Sequence, residues 1–306
     1  MIKYIFRRLF HTVFMILGIS LIVFVITNVI GDPLALLVPL DATQEDIDNI
    51  SMQLGLDKPL HDQYFIFLNN ISKGDFGTSF IFEEPAMDLV WAHLPATVEL
   101  TIAAMIFAVC GAIPVGILAA IRPYSLVDRA ARFLALLGQA SPSYWLGIMA
   151  ILFFGVKLRI MPISGRGGID HLILPAATLG FYAMAAIMRL TRSAMLDVMD
   201  RDYIRTARIK GLSEKKVILK HAFKNALIPV VTIVSLFTGR LLGGAVITET
   251  IFAWPGLGRL SVQAIQSSDF PLVQASVFMM SIFFVFINLV VDIIYSWIDP
   301  RIVYKQ

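Results

Sequence analysis

Apolar residues fall along this chain in long unbroken blocks. They show neither the 3.6-residue period of an amphipathic helix nor the alternation of a half-buried strand. Six blocks reach the roughly 20 residues needed to cross about 30 Å of hydrocarbon: Leu9–Ile30, Thr97–Ile121, Phe133–Val156, Leu172–Leu190, Ala226–Ile247 and Leu272–Trp297. Lipid cannot satisfy a bare backbone, so each block is predicted to be a helix. The expected fold class is an all-α polytopic membrane protein with six transmembrane helices. The first apolar run is too long for a cleaved signal and "NVIGDPLALL" offers no small-residue cleavage site, so it reads as a retained span.

The polar positions divide the chain into 1–30, a segment over 31–96, and a core over 97–306 with a polar loop at 191–225. In the second segment Thr43 and Asp46 resemble a capping box, and Gly55 with Pro59 marks a stop, predicting a helix over about 44–54. "PLHDQYFIFLNNISKG" predicts an amphipathic helix ending at Gly74, "GDFGTSF" extended or turn structure, and Pro85 the start of a third short helix. Inside the spans, Pro114, Pro142, Pro175 and Pro229 are either kinks tolerated by neighbouring helices or hinges.

Composition agrees with the blocks. Of 306 residues 58% are hydrophobic and 15% charged, with a mean hydropathy of +0.78; soluble domains carry about 25% charged residues. The single cysteine, Cys110, falls within the second block and reads as a small packing residue. Charge placement orients the chain. Residues 189–224 hold ten Lys/Arg against four Asp/Glu, and 31–96 hold eleven Asp/Glu against Lys58 and Lys73 alone. Lys3, Arg7, Arg8, Arg122, Arg129 and Arg132 lie on the same side as the first set. Both termini are therefore expected in the cytoplasm and 31–96 outside, with Lys157, Arg159 and Arg166 against the trend. The acidic outer segment either suits docking of a complementary protein or serves solubility.

Candidate chemistry is sparse. No G-x-x-x-x-G-K-[ST], H-E-x-x-H, C-x-x-C or G-x-S-x-G motif occurs, and His11, His61, His93, His171 and His221 lack metal-ligand spacing. No catalytic residue, metal, cofactor or nucleic-acid partner is expected of this chain. Arg240 lies within a span, Asp292 follows Asn288 by one turn in the last, and Glu99 and Glu249 stand near span ends. Ionisable groups in spans face the bundle or a wet cavity. Gln139, Ser141 and Ser143 either line a hydrated path or are satisfied inside the bundle.

The longest polar stretch is "DYIRTARIKGLSEKKVILKHAFKNALIP". It predicts a helix over about 187–210, a left-handed stop at Gly211, and a new helix capped by Ser213. Such an elbow serves either as a lipid-surface anchor or as a handle for a protein partner. With "VIGDPLALL", "LGLDKPLHDQY", "KGDFGTSF", "LPATVELT", "ITETIFAWPGLGRL" and "DFPLVQA", this stretch resembles the permease subunits of the peptide/nickel family of ABC importers.

The resemblance spans nearly the whole chain. It implies the type I importer permease fold in a bacterial inner membrane, pairing with a second permease, two cytoplasmic ATPases that carry ATP and Mg, and an extracytoplasmic binding protein. It implies that Tyr203, Arg205, Thr206, Ala207, Gly211, Leu212 and Ser213 form the EAA-type coupling helix, although Arg205 stands where a glutamate names that loop. Arg240, Gln139 and Ser141 are candidates for the translocation path. Glu249, Trp254, Pro255, Gly256 and Gly258 belong to the loop expected near the substrate entrance. The implied cargo is di- or oligopeptide or a peptide-like solute such as glutathione. Nickel-chelate import and a self-sufficient secondary carrier are the alternatives.

Overall fold

The computed structural model describes residues 2–30, 43–45, 48, 51–52, 55 and 57–298. Among these the regular elements are helical, apart from one isolated bridge between Thr78 and Pro85. α1 (Ile2–Phe24) loosens into a π-helical stretch at Val25–Ile30, and is followed by α2 (Leu60–Ser72) and α3 (Ala86–Ile121). α4 (Leu126–Ala140) precedes α5 (Ser143–Ala150), which runs on as π-helical Ile151–Lys157. α6 (Ile169–Met199), α7 (Asp202–Ile209) and the short turn α8 (Glu214–Lys216) come next. π-Helical Val217–Ala222 leads into α9 (Phe223–Ile251), and α10 (Leu257–Gln266) and α11 (Phe270–Ile298) follow. Among the described residues five stretches are long and apolar enough to span a membrane, and the bent α4–α5 pair makes six if taken as one span.

That pair is the largest departure from the sequence reading. The block expected as one helix over 133–156 is two helices meeting at 109°. Pro142 lacks the N–H that would continue the ladder and drives Ser141 into extended backbone, with ψ 129°. Pro175 and Pro229 lie inside the unbroken α6 and α9. Pro85 does not open a separate short helix. It precedes α3, whose 36 residues absorb the whole second block. Gln44, Glu45, Asp48, Ser51 and Met52 are helical as expected, whereas Asp46 lies outside the described residues. α2 stops before Gly74, whose φ is +77°. Cys110 is exposed and so is not the packing residue it was expected to be.

By its contacts the chain forms two compact units, one of Ala96–Pro255 with the chain from Ile287 on, the other of Ile2–Pro95 with Gly256–Phe286. In the first, α3 carries Ala96, Leu100, Ala104, Ala108 and Ala112 at intervals of four, all essentially without exposure. This stripe packs with Leu179, Ala183, Ala186 and Ile187 of α6 and with Val230, Phe237, Leu241 and Ala245 of α9. Small residues let the backbones close. A Cβ added to Gly180 would run into the Ala104 carbonyl oxygen, and one on Gly116 would sit 2.8 Å from that of Met188. Contacts advance together along both helices, so α3 and α6 run in the same direction.

In the second unit, α1 and α2 join through Phe24, which stacks near Tyr64 and Phe67 at 5.3 and 5.6 Å, and through Ser20 bonded to the Tyr64 hydroxyl at 2.9 Å. Two stretches far apart in sequence also meet there. Buried Asp269 accepts from the Ser79 hydroxyl, from the Ile81 N–H at 3.3 Å, and from the Leu272 N–H at 3.3 Å at the start of α11. Phe76 packs against Phe278 at 5.6 Å.

Two glycines separate packing from tolerance. A Gly180→Ala methyl meets backbone, and overpacking of that kind costs about 1–3 kcal/mol. A Gly111→Ala methyl meets only the movable Met184 sulfur, at 2.7 Å. Thermal unfolding in detergent should therefore show a clear loss for Gly180→Ala and a smaller one for Gly111→Ala.

Candidate functional site

The elbow between α6 and α9 is where a polar segment packs against the apolar bundle. α6 stops at Met199, and Arg201 takes an extended backbone, φ −77° and ψ 146°, before α7 begins. The single helix expected over about 187–210 is thus broken at Asp200–Arg201, and the segment has two joints instead of one. The sequence reading missed this joint because no Gly or Pro marks it.

The second joint is the one predicted. Gly211 has φ +76°, its N–H reaches the Arg208 carbonyl at 2.9 Å, and the Leu212 N–H reaches Ala207 at 3.4 Å. These are the paired bonds of a Schellman stop. Leu212 and Ala207 both belong to the adjoining apolar cluster, which gives the contact that usually accompanies that stop. Ser213 occupies the cap position of α8 but makes no side-chain capping bond. Arg208 instead bridges the turn to Glu214 at 2.8 Å, an exposed pair worth at most about 1 kcal/mol.

The candidate coupling residues fall on two sides of α7. Ala207 is buried and Leu212 half-buried, alongside Ile204, which has no exposure. These three pack with Ile117 and Ala120 of α3, Ala194 and Met195 of α6, and Val217, Ala222 and Ala226 leading into α9. Tyr203, Arg205, Thr206, Gly211 and Ser213 are exposed. Ile209, which the sequence reading passed over, is 86% exposed at the end of α7. Tyr203, Thr206 and Ile209 follow at three-residue intervals, so they share a face. An isolated apolar side chain beside that polar face was the signal available.

The bundle next to the elbow is clamped by a buried carboxylate. Asp128 has no exposure and accepts from Arg192 Nε and Nη2 at 2.5 and 3.1 Å, and from the Tyr124 N–H at 2.9 Å. Arg132 lies 3.3 Å away. The sequence reading counted these arginines only as orientation signals.

At the opposite end of α9, Glu249 and Trp254 are wholly buried. The Thr97 hydroxyl donates to Glu249 Oε1 at 2.6 Å, the Trp254 N–H to the Glu249 carbonyl at 2.8 Å, and the indole N–H to the Ala96 carbonyl at 2.9 Å. Pro255 follows half-buried. Gly256 is the cap residue of α10 and Gly258 is buried within it. Arg166 runs against the charge trend but pairs with Glu99 at 2.6 Å.

Of the candidate path residues, Arg240 and Ser141 share a cavity with Ser143, Thr178 and Tyr182, beside the break at Pro142. Arg240 also stands 5.6 Å over the Phe237 ring. Gln139 lines a different cavity, between α4 and α6. Asp292 lies in α11, with its side chain outside those described. Among the described residues no group of His, Cys, Asp and Glu is placed to hold a metal.

The structure is thus a bundle of apolar helices carrying an exposed polar elbow that is packed on the bundle's apolar core. Residues 112–304 match the family described as the binding-protein-dependent transport system inner membrane component, and residues 1–101 match the N-terminal part of such components. The chain belongs to that family and has the type I permease fold. It is 40% identical to the dipeptide transport system permease protein DppB of Alkalihalophilus pseudofirmus, across 99% of this chain and all of that one. Identity to the glutathione transport system permease protein GsiC of Escherichia coli K12 is also 40%, across the whole of both. Among solved structures, an inward-facing form of the methionine transporter MetNI matches with a TM-score of 0.58 at 20% identity, covering 70% of this chain and 97% of that one.

The Schellman stop predicts how the elbow responds to substitution. Gly211→Ala forces a side chain into left-handed backbone at about 1–2 kcal/mol, although nothing lies within 4 Å of the new methyl. Ser213→Ala removes no capping bond. Thermal unfolding should be lowered by the first and unchanged by the second.

Proposed function

We propose that this permease imports di- or oligopeptides, or peptide-like solutes such as glutathione, through a path made with a second, related permease subunit. The observation carrying this reading is the end-to-end similarity to two permease subunits named for a dipeptide and for glutathione. Power comes from outside the chain: two cytoplasmic ATPases bind ATP and its magnesium, and a binding protein delivers cargo at the outer face. Both termini and the elbow lie in the cytoplasm, and the segment over 31–96 lies outside, as the distribution of Lys and Arg favours.

The elbow suits this task physically. Tyr203, Arg205, Thr206 and Ile209 form an exposed mixed face for an ATPase groove, while Ile204 and Ala207 key the same helix into α3, α6 and the start of α9. A displacement of α7 is thereby passed to three helices at once. ATP-driven closure of the motor opens the path outward, and hydrolysis resets it. The cargo has to interact differently with the two states for the cycle to be driven. Arg240, Ser141 and Ser143 are the polar groups offered to it beside the broken α4–α5 span.

Uptake of labelled dipeptide and glutathione into vesicles carrying the reconstituted transporter tests this directly. Uptake should require ATP and the binding protein. Uptake by this chain alone on an ion gradient would overturn the reading. Gly211→Pro deletes the N–H donated to Arg208 and cannot take φ +76°. It should abolish uptake while the protein remains in the membrane. Arg240→Leu should lower uptake with assembly intact, and unchanged uptake would make that arginine structural.

A further inference from the structure

We infer that the cavity between α4 and α6 is a binding site for a phosphate oxyanion, supplied by the headgroup of an anionic phospholipid. Arg132, Gln139, Arg189 and Arg192 line it, together with the apolar Leu136 and Met188. No acidic side chain is among its lining residues. Asp128, behind it, is engaged by Arg192 through two bonds and by Arg132 through one contact. Three guanidinium groups thus face one carboxylate, and the excess is about two positive charges by this count of charged groups. Arg189 is exposed and has no acidic partner among the described residues. The Nε2 of Gln139 is buried without a hydrogen-bond acceptor. A buried donor left unsatisfied is a cost that an incoming oxygen would remove.

Depth and surroundings select the source of the phosphate. α6 begins at Ile169, and about 20 residues of helix, roughly 30 Å, carry it across the hydrocarbon to the level of Arg189. Basic pockets between spans at that level take lipid headgroups. The apolar side chains alongside suit acyl chains: Leu136 is 68% exposed and Phe133 59% exposed on the same helix. Guanidinium forks match phosphate oxygens with paired bonds.

The test uses the assembled transporter in nanodiscs holding phosphatidylglycerol and phosphatidylethanolamine in equal amounts, with retained lipid read by native mass spectrometry. The wild type should keep phosphatidylglycerol preferentially. Arg189→Ala, which removes an exposed side chain lacking an acidic partner, should keep about fivefold less, from the worth of one basic residue at an anionic surface. Gln139→Leu should reduce retention in the same direction. Equal retention of both lipids, or no change in Arg189→Ala, overturns the inference. Retention of inorganic phosphate without lipid overturns the assignment to a headgroup. Lipid retention is read without any transported solute, so failure of the peptide reading leaves this test intact.

Discussion

Helices in lipid gain nothing from burying apolar surface against one another, because the surrounding tails are equally apolar. What holds them is close contact and the absence of voids. In this chain that constraint is met along the seam between α3 and α6, where alanines at four-residue spacing on one helix meet Gly180, Ala183 and Ala186 on the other. Four-residue spacing builds a ridge slightly inclined to the helix axis. A larger side chain at Gly180 or Gly116 would meet the facing backbone. Because the two helices run in the same direction, the seam also continues toward the elbow without a break, through Gly116 against Met188 and Thr191.

The elbow depends on the far end of that seam. Ile117 and Ala120 extend the α3 stripe, and Ala194 and Met195 extend that of α6, so together they present the floor on which Ile204 and Ala207 sit. α7 has only eight residues, too few to be stable alone in water. Its helicity is supplied by this floor and by the Schellman stop at Gly211. A short helix that exists only while seated reports the position of its seat, and its seat reports the position of the helix. Asp128 strengthens the relation by tying the turn before α4 to Arg192, one helical turn from the floor.

Much of this was legible in the residues. Long apolar blocks identified the spans because lipid leaves the backbone no other choice. Gly211 announced its turn because few other residues accept that conformation. The break at Asp200–Arg201 was not legible, since no Gly or Pro marks it, and the burial of Ile204 just beyond it depends on contacts with α3 and α6. The 109° bend at Pro142 was visible only as a proline in a span. Pro175 and Pro229 show that the same residue can also be absorbed without a break. Glu249 and Trp254 read as members of an outer loop, and their burial against Thr97 and Ala96 emerges only when α3 and α9 are brought together. The charge of Asp128 could be counted in sequence, but its pairing across 64 residues with Arg192 could not.

The break at Pro142 also explains why the polar residues lie where they do. Irregular backbone at membrane depth is tolerated only where protein buries it or where it borders a wet cavity. Ser141 is in extended conformation at that break, and the cavity beside it carries Ser143, Thr178, Tyr182 and Arg240. Each of these groups would be costly against lipid, and the cost falls when they share a solvated space. The opened backbone borders that polar cavity, and Arg240, itself exposed, lines the same space. Arg240, in the middle of α9, fits that arrangement: its guanidinium lies over the Phe237 ring, and its side chain lines the cavity.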